Sequence, residues 1–178
     1  MRFWHPGRTF WTGSGDNSQL TQFPGNRMLR IRDAYPKDEA VWRLLWADYI
    51  AFYGATVPEE VTAHTWKRIL DPASPVFCRL AERDSRIPMP QVVGFAVCVL
   101  HEGSFSLSSL CYLEDLFVAP AHRGLGIGGA MLKDLEERAA TAGWSHLYWH
   151  TRQDNPARKL YDEFVPADDF VRYKLAIK

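Results

Sequence analysis

Residues 112–139 read YLEDLFVAPAHRGLGIGGAMLKDLEERA, and the fold turns on how the glycines are counted. Gly124, Gly126 and Gly129 spell G-x-G-x-x-G, the dinucleotide-binding fingerprint. Arg123, Gly126 and Gly128 spell R-x-x-G-x-G, an anion-binding loop of a different kind. A dinucleotide fingerprint sits directly at a strand end, early in a βαβαβ half. Here Ala119–Arg123 intervenes, and too little chain follows Gly129 for several more parallel βα units. The acid expected about 20 positions on is at best Asp154, already past the next strand. No G-K-[ST] follows, so the stretch is not a P-loop either. The second reading fits. A glycine loop opening a helix aims free N–H groups and the positive helix end at an anion. Its glycines let the backbone come close, and Arg123 adds a planar donor fork. A glycine turn that merely starts a helix is the plainer alternative. Three glycines at alternate positions behind an arginine argue against it.

Downstream, Ile127, Met131, Leu135 and Ala139 recur every four residues, with charged residues on the other faces, so the loop feeds an amphipathic helix ending at Gly143. His146–Thr151 reads as a strand, Asn155–Phe164 as a short helix and Phe170–Ile177 as a closing strand. Upstream, residues 76–82, 91–100 and 107–118 have a period of two and short connections (RDSRIPMP and HEGSFS), which make antiparallel neighbours. Before them come a short strand at Met28, a helix from Pro36 to Gly54 and a second from Pro58 to about Leu70, stopped by Asp71-Pro72. The order is β-α-α-β-β-β-α-β-α-β: a mixed α/β fold with a mostly antiparallel twisted sheet, one parallel β-α-β crossover and helices on both faces.

The totals narrow the class. The chain has 178 residues and is 47% apolar, enough for one domain with a sizeable core. Its 21 basic and 21 acidic residues cancel, so overall charge gives nucleic-acid binding no support. Cys78, Cys98 and Cys111 form no CxxC pair and sit in apolar runs, which reads as buried reduced thiols in a cytoplasmic protein. No apolar run reaches the ~20 residues of a membrane span, and the start lacks a signal-peptide pattern. His146 and His150, about 13 Å apart on a strand, do not share a metal, and no metal is expected. Residues 1–27 show no period and read as an extension without its own core, with the domain over 28–178. Either Met28 is the true start, or the extension is an ordered arm anchored by Trp4 and Trp11.

With these motifs in place, the chain over residues 28–178 resembles the GNAT N-acetyltransferases. "YLEDLFV" with "RGLGIG" is most similar to the spermidine/spermine (diamine) acetyltransferase branch. "YWHTRQDN…LYD" is similar to a sister branch acting on histones or D-amino acids. "NPARKLYDEF" resembles the second cofactor-side helix and "VRYKL" the closing strand. The resemblance implies acetyl-CoA as co-substrate. Its pyrophosphate would lie on Arg123, Gly124, Leu125, Gly126, Ile127, Gly128 and Gly129, and its pantetheine arm along the backbone of Leu116, Phe117 and Val118. His122, just before the loop, is a further candidate for phosphate; the six histidines read as non-catalytic. One spacing departs from the family: Asn155 lies six residues before Tyr161, where seven is usual and Asp154 stands instead. Either the loop is shorter and Asn155 still reaches its cofactor partner, or it has lost that role. The glycine usual after this helix is also missing.

Acetyl transfer to an amine needs a base for the amine proton, an N–H near Phe117 or Val118 for the thioester oxygen, and an acid for the leaving thiolate. The resemblance gives Tyr161 as the acid and Glu114 as the base, acting through a water. Glu114 also stands in an otherwise apolar strand, where desolvation should raise its pKa. Asp115, its neighbour on the opposite strand face, is the runner-up. The acceptor pocket falls between the first two helices and the middle strands. Tyr49, Tyr53, Phe52 and Trp46 would be its walls, and Asp48, Glu59, Glu60 and Glu102 its negative charge. These residues read equally well as core aromatics and a solvated helix face. The implied function is N-acetylation of a small primary amine by a homodimer. The alternatives are a protein lysine or N-terminal acetyltransferase and a non-catalytic acyl-CoA-binding regulator.

Overall fold

The computed structural model describes residues 19–23, 27–84 and 91–177. Trp4, Trp11 and the polar turn at 85–90 lie outside the described residues. Six strands form one sheet in sequence order: β1 (Gln19–Phe23), β2 (Arg27–Asp33), β3 (Val76–Arg83), β4 (Gln91–His101), β5 (Leu110–Val118) and β6 (His146–Trp149). The first five are antiparallel neighbours, and β5 pairs with β6 in parallel. The crossover between them is α3 (Ile127–Ala142). Within the extension, Gln19–Phe23 runs antiparallel to Arg27–Ile31 as the edge strand.

Period-two alternation sorts the side chains to two cores. Ala96 and Cys98 of β4 face α3, where they meet Cys111, Leu113, Met131 and Leu135. Phe95 and Val97 face the other way, toward α1 (Glu39–Phe52) and α2 (Glu59–Leu70). Trp42 is completely buried there, its ring 5.3 Å from Trp46 and 5.0 Å from Trp66. α1 ends at Gly54 and α3 at Gly143, both in the left-handed region. These are the stops the sequence signals.

α3 is also tied to the sheet by charge. The buried Arg79 on β3 donates to both carboxylate oxygens of Asp134 (2.8 and 2.7 Å) and to Asp33 (2.8 Å). A buried pair of this geometry adds little net stability, but removing one partner costs about 3–5 kcal/mol because it strands the other charge. The pair therefore fixes how α3, and the glycine loop at its start, sit on the sheet.

Two expectations fail at the C-terminus. The helix predicted over Asn155–Phe164 is reduced to α4 (Arg158–Tyr161), flanked by turns. The closing strand predicted at Phe170–Ile177 is absent: residues 165–177 make no ladder, and Tyr173, Leu175 and Ile177 are 91, 85 and 86% exposed. Periodicity reports a strand's propensity, but a strand exists only when an edge pairs with it. Here β6 is four residues long and, among the described residues, pairs only with β5.

Candidate active site

A break in the sheet builds the site. β4 and β5 pair as Cys98↔Leu113 and then Val97↔Asp115, so Glu114 is an extra residue with no partner, a β-bulge. The bulge shifts the alternation by one. Cys111 and Leu113 face α3 before it, and Leu116 and Val118 face α3 after it. On the other side, β6 accompanies β5 only from Leu110 to Leu113. Beyond Leu113 the two strands part, and the outer edge of residues 114–118 has no ladder to β6. The gap opens into a cleft of about 420 Å³.

The glycine loop closes one end of this cleft. After β5 the chain makes a short 3₁₀ turn (Pro120–His122), then enters α3 through Gly126, its N-cap. Gly124 and Gly126 hold φ of +72° and +75°, which residues with a Cβ rarely adopt. α3's first helical bond runs from the Ala130 N–H to the Gly126 carbonyl. The N–H groups of Ile127, Gly128 and Gly129 are the ones a helix start leaves without an intrahelical partner. Gly128 has a packing reason as well: a Cβ there would stand 2.9 Å from Leu160 Cδ2.

Of the residues expected to hold the cofactor, Leu116, Phe117, Val118, Arg123, Gly124, Gly126, Ile127, Gly128, Gly129 and Asn155 line the cleft, as does His122; Leu125 does not. Arg123 differs from expectation. Its Nε donates to the Val118 carbonyl (2.9 Å), and its guanidinium lies over the Phe117 and Phe52 rings. Asn155 closes the turn before α4. It donates to Thr151 Oγ1 (2.8 Å) and accepts from the Ala157 N–H (3.0 Å), which is local work for a side chain one position off the usual spacing.

Tyr161 lines the cleft from α4, half-buried, its ring 5.4 Å from Trp149. Burial, helped by Tyr53, pushes its hydroxyl up to about 12, so it is a proton donor throughout the neutral range. The two carboxylates have exchanged places relative to expectation. Glu114 lines the cleft but is exposed, so its apolar strand neighbours do not bury it. Asp115 is the desolvated one. Burial pushes its pKa up to about 6, aided by the Glu114 charge and opposed by the nearby Tyr49 hydroxyl. The bulge accounts for the exchange, because the extra residue Glu114 turns outward and Asp115 takes the face under α1.

Tyr49, Phe52 and Tyr53 form the opposite wall. Trp46 lies behind them, stacked on Trp42 and Tyr49. The acids expected to charge this pocket do not line it: Asp48, Glu60 and Glu102 are exposed elsewhere, and Glu59 pairs with Arg43 (2.7 Å). The sequence reading missed Trp149, His150 and Thr151, which reach the cleft from the end of β6. Nothing in a four-residue strand marks which of its residues face a gap.

Residues 39–164 match the acetyltransferase (GNAT) family. The match covers most of the chain, and the protein belongs to that family of N-acetyltransferases. The chain is 30% identical over 150 residues to the D-amino-acid N-acetyltransferase HPA3 of Saccharomyces cerevisiae, across 84% of this chain and 91% of that protein. A shorter match, 40% identical over 67 residues, joins it to the spermidine/spermine N(1)-acetyltransferase-like protein 1 of Homo sapiens, across 36% of this chain and 10% of that one. In fold, it superimposes on the ribosomal-protein-alanine N-acetyltransferase of Brucella melitensis biovar Abortus 2308 with a TM-score of 0.67 at 20% identity, over 84% of this chain and 99% of that one. The family implies acetyl-CoA as co-substrate. Among the described residues no group of His, Cys, Asp and Glu is arranged to hold a metal, and no helix is long and apolar enough to cross a membrane.

Proposed function

We propose that this protein transfers the acetyl group of acetyl-CoA directly to the primary amine of a small molecule, an amino acid in preference to a polyamine. The observation that carries the reading is the parting of β5 from β6 beside a helix that opens on glycines. A strand edge left open can take an amide-bearing arm as an added strand, and the helix start can take a pyrophosphate. The residues present fit the group. The backbone of Leu116, Phe117 and Val118 would hold the arm, and the loop from Arg123 to Gly129 the phosphates. When bound there, acetyl-CoA supplies an activated thioester. Tyr161 then holds a proton for the leaving sulfur. Glu114 would meet the amine at the cleft wall, and the N–H near Phe117 or Val118 would serve the acyl oxygen.

The preference for an amino acid rests on charge. A polyamine calls for several acids, and Asp48, Glu59, Glu60 and Glu102 all lie off the cleft wall. An amino acid calls for one anion and one cation. Glu114 is on the wall, and the Arg152 guanidinium lies 5.2 Å from the centroid of the Tyr53 ring. The similarity to a D-amino-acid N-acetyltransferase supports the same choice. The test is thiol release from acetyl-CoA with D- and L-amino acids, spermidine and a lysine peptide. The expected order puts an amino acid first. A peptide in first place would make the protein a lysine acetyltransferase, and no release with any acceptor would make it a non-catalytic acyl-CoA binder.

The catalytic domain is placed at residues 28–178, with 1–27 an extension whose strand Gln19–Phe23 is carried by β2. The three buried, unpaired cysteines support a cytoplasmic setting. The active form is proposed to be a homodimer. Val171, Tyr173, Leu175 and Ile177 alternate with Arg172 and Lys174 and are 70–91% exposed, an amphipathic strand without a sheet. The edge of β6 and the fully exposed Phe105 and Leu107 give a second copy a surface to cover. Light scattering at micromolar concentration is expected to give a dimer, and a monomer after truncation at Asp169. A monomeric full-length chain would overturn this.

A further inference from the structure

The gap between β5 and β6 has an apex, and two side chains able to handle a proton stand at it. Leu113↔Trp149 is the last rung of the parallel pair. Glu114 and His150 are the next residues on the two strands, one on each lip where the gap opens, and both line the cleft. Tyr161 reaches the same place, its ring packed against Trp149. The glycine loop lies at the far end, beyond Val118. An arm laid along the open edge from Val118 to Leu116 therefore carries its thioester toward the apex.

His150 is held at that apex by one nitrogen. Cys111, Leu113, Leu147 and Trp149 face α3, so alternation sends Tyr112, Tyr148 and His150 to the opposite face. Their three rings touch one another, at 5.1 Å between Tyr112 and Tyr148, 5.4 Å between Tyr112 and His150 and 6.0 Å between Tyr148 and His150. His150 Nδ1 is hydrogen-bonded to the Tyr112 hydroxyl at 3.2 Å. Its Nε2 has no hydrogen-bond partner among the described residues. A ring fixed through one nitrogen and open at the other is the arrangement of a base oriented by a third group. We propose that His150 is the general base that takes the proton from the acceptor amine, its ring oriented by Tyr112, while Glu114 on the facing lip binds the amine. The proposal deepens the acetyltransferase reading and rests on it.

The chemistry suits an imidazole better than a carboxylate at this place. Imidazole is the side chain that changes charge nearest neutral pH, which is where a base is most effective. An exposed carboxylate is suited instead to holding a cation by its charge. Faces matter as well. Tyr161 and Trp149 pack on the α3 side of the sheet, and His150 lies on the other, so acid and base approach the thioester from opposite sides. The step balances. The neutral amine nitrogen forms the C–N bond as the C–S bond breaks and its electron pair leaves on sulfur. The surplus N–H proton passes to His150 Nε2, which requires the tautomer in which Nδ1–H donates to the Tyr112 oxygen. Tyr161 gives its proton to the sulfur. The exposed imidazolium returns its proton to water and Tyr161 regains one from water, so the net transfer is from amine to thiol.

The experiment compares the full chain with His150→Ala, Tyr112→Phe and Glu114→Gln. It follows the acetylated product of the amine with the highest turnover in the acceptor panel, with and without added imidazole. His150→Ala should lower kcat by roughly 10²-fold, and imidazole should restore most of that loss by entering the space the ring has left. Tyr112→Phe should lose roughly 3- to 10-fold in kcat, the worth of one orienting hydrogen bond. Glu114→Gln should act mainly on KM for the amine, and neither it nor the wild type should gain from imidazole. A second readout needs no turnover. Ring-nitrogen NMR of the chain without acetyl-CoA, at a pH where the ring is neutral, should place the His150 proton on Nδ1 and show it moving to Nε2 in Tyr112→Phe. Wild-type kcat in His150→Ala overturns the proposal, as does a loss that imidazole leaves unchanged, which is what a merely structural ring would give. A proton on Nε2 in the wild type overturns it too. Absence of turnover in the wild type would instead sink the acetyltransferase reading, and the NMR would still test how Tyr112 orients His150.

Discussion

Tyr161→Phe is expected to lower kcat by roughly 10²-fold or more while leaving affinity for CoA nearly unchanged. The substitution keeps the ring, and with it the contact to Trp149 on β6. It deletes only the hydroxyl, and the proposed acid role calls on that hydroxyl only when the C–S bond breaks. An interaction made in the transition state alone appears in kcat and not in ground-state binding. Because burial holds Tyr161 protonated up to about 12, the wild type should show no loss of its acid between pH 7 and 10. An alkaline decline in that range belongs to another group. Single-turnover measurements isolate the chemical step from product release. Full single-turnover rate in Tyr161→Phe would remove Tyr161 as the acid and leave the thiolate to depart without one.

The core motif was legible because it is local. A strand, an arginine, three glycines and a four-residue apolar repeat lie within one continuous stretch, and the structure joins them in that order. The two helices before the sheet were legible for the same reason, marked by Pro36, Gly54, Pro58 and Asp71-Pro72. The placement of Glu114 and Asp115 was not. Strict alternation puts neighbours on opposite faces, and only the pairing with β4 reveals that Glu114 is an extra residue. A bulge is a property of two strands and leaves no mark in one. The closing strand failed for a related reason: residues 170–177 carry the right period but join no ladder, and pairing with another strand is not written in the segment itself. The aromatic wall was foreseen as a set, since Tyr49, Phe52 and Tyr53 fall on adjoining turns of α1.

Gly126→Asp should abolish measurable CoA binding by calorimetric titration, and the comparison that gives this meaning is Gly126→Asn. Gly126 is the N-cap of α3 at φ +75°. Asn and Asp are the side chains that best tolerate that region, so both variants carry similar backbone strain and similar bulk. They differ in one negative charge. At about 4 Å and an effective dielectric constant near 20, two unit charges interact by about 4 kcal/mol. Solvent and salt reduce this at so exposed a position. Even half of it separates the two variants by more than tenfold, and the pyrophosphate carries more than one charge. The expected series is therefore wild type tightest, Asn weakened by bulk alone, and Asp lost, with the gap between Asn and Asp narrowing as salt is raised. Equal losses in the two variants would mean that the loop acts through its shape and that the phosphates lie farther along, toward Arg123 or His122. Unchanged binding in both would move the cofactor away from this loop altogether. The two tests are independent, since Gly126 bears on holding the cofactor and Tyr161 on what happens after it is held.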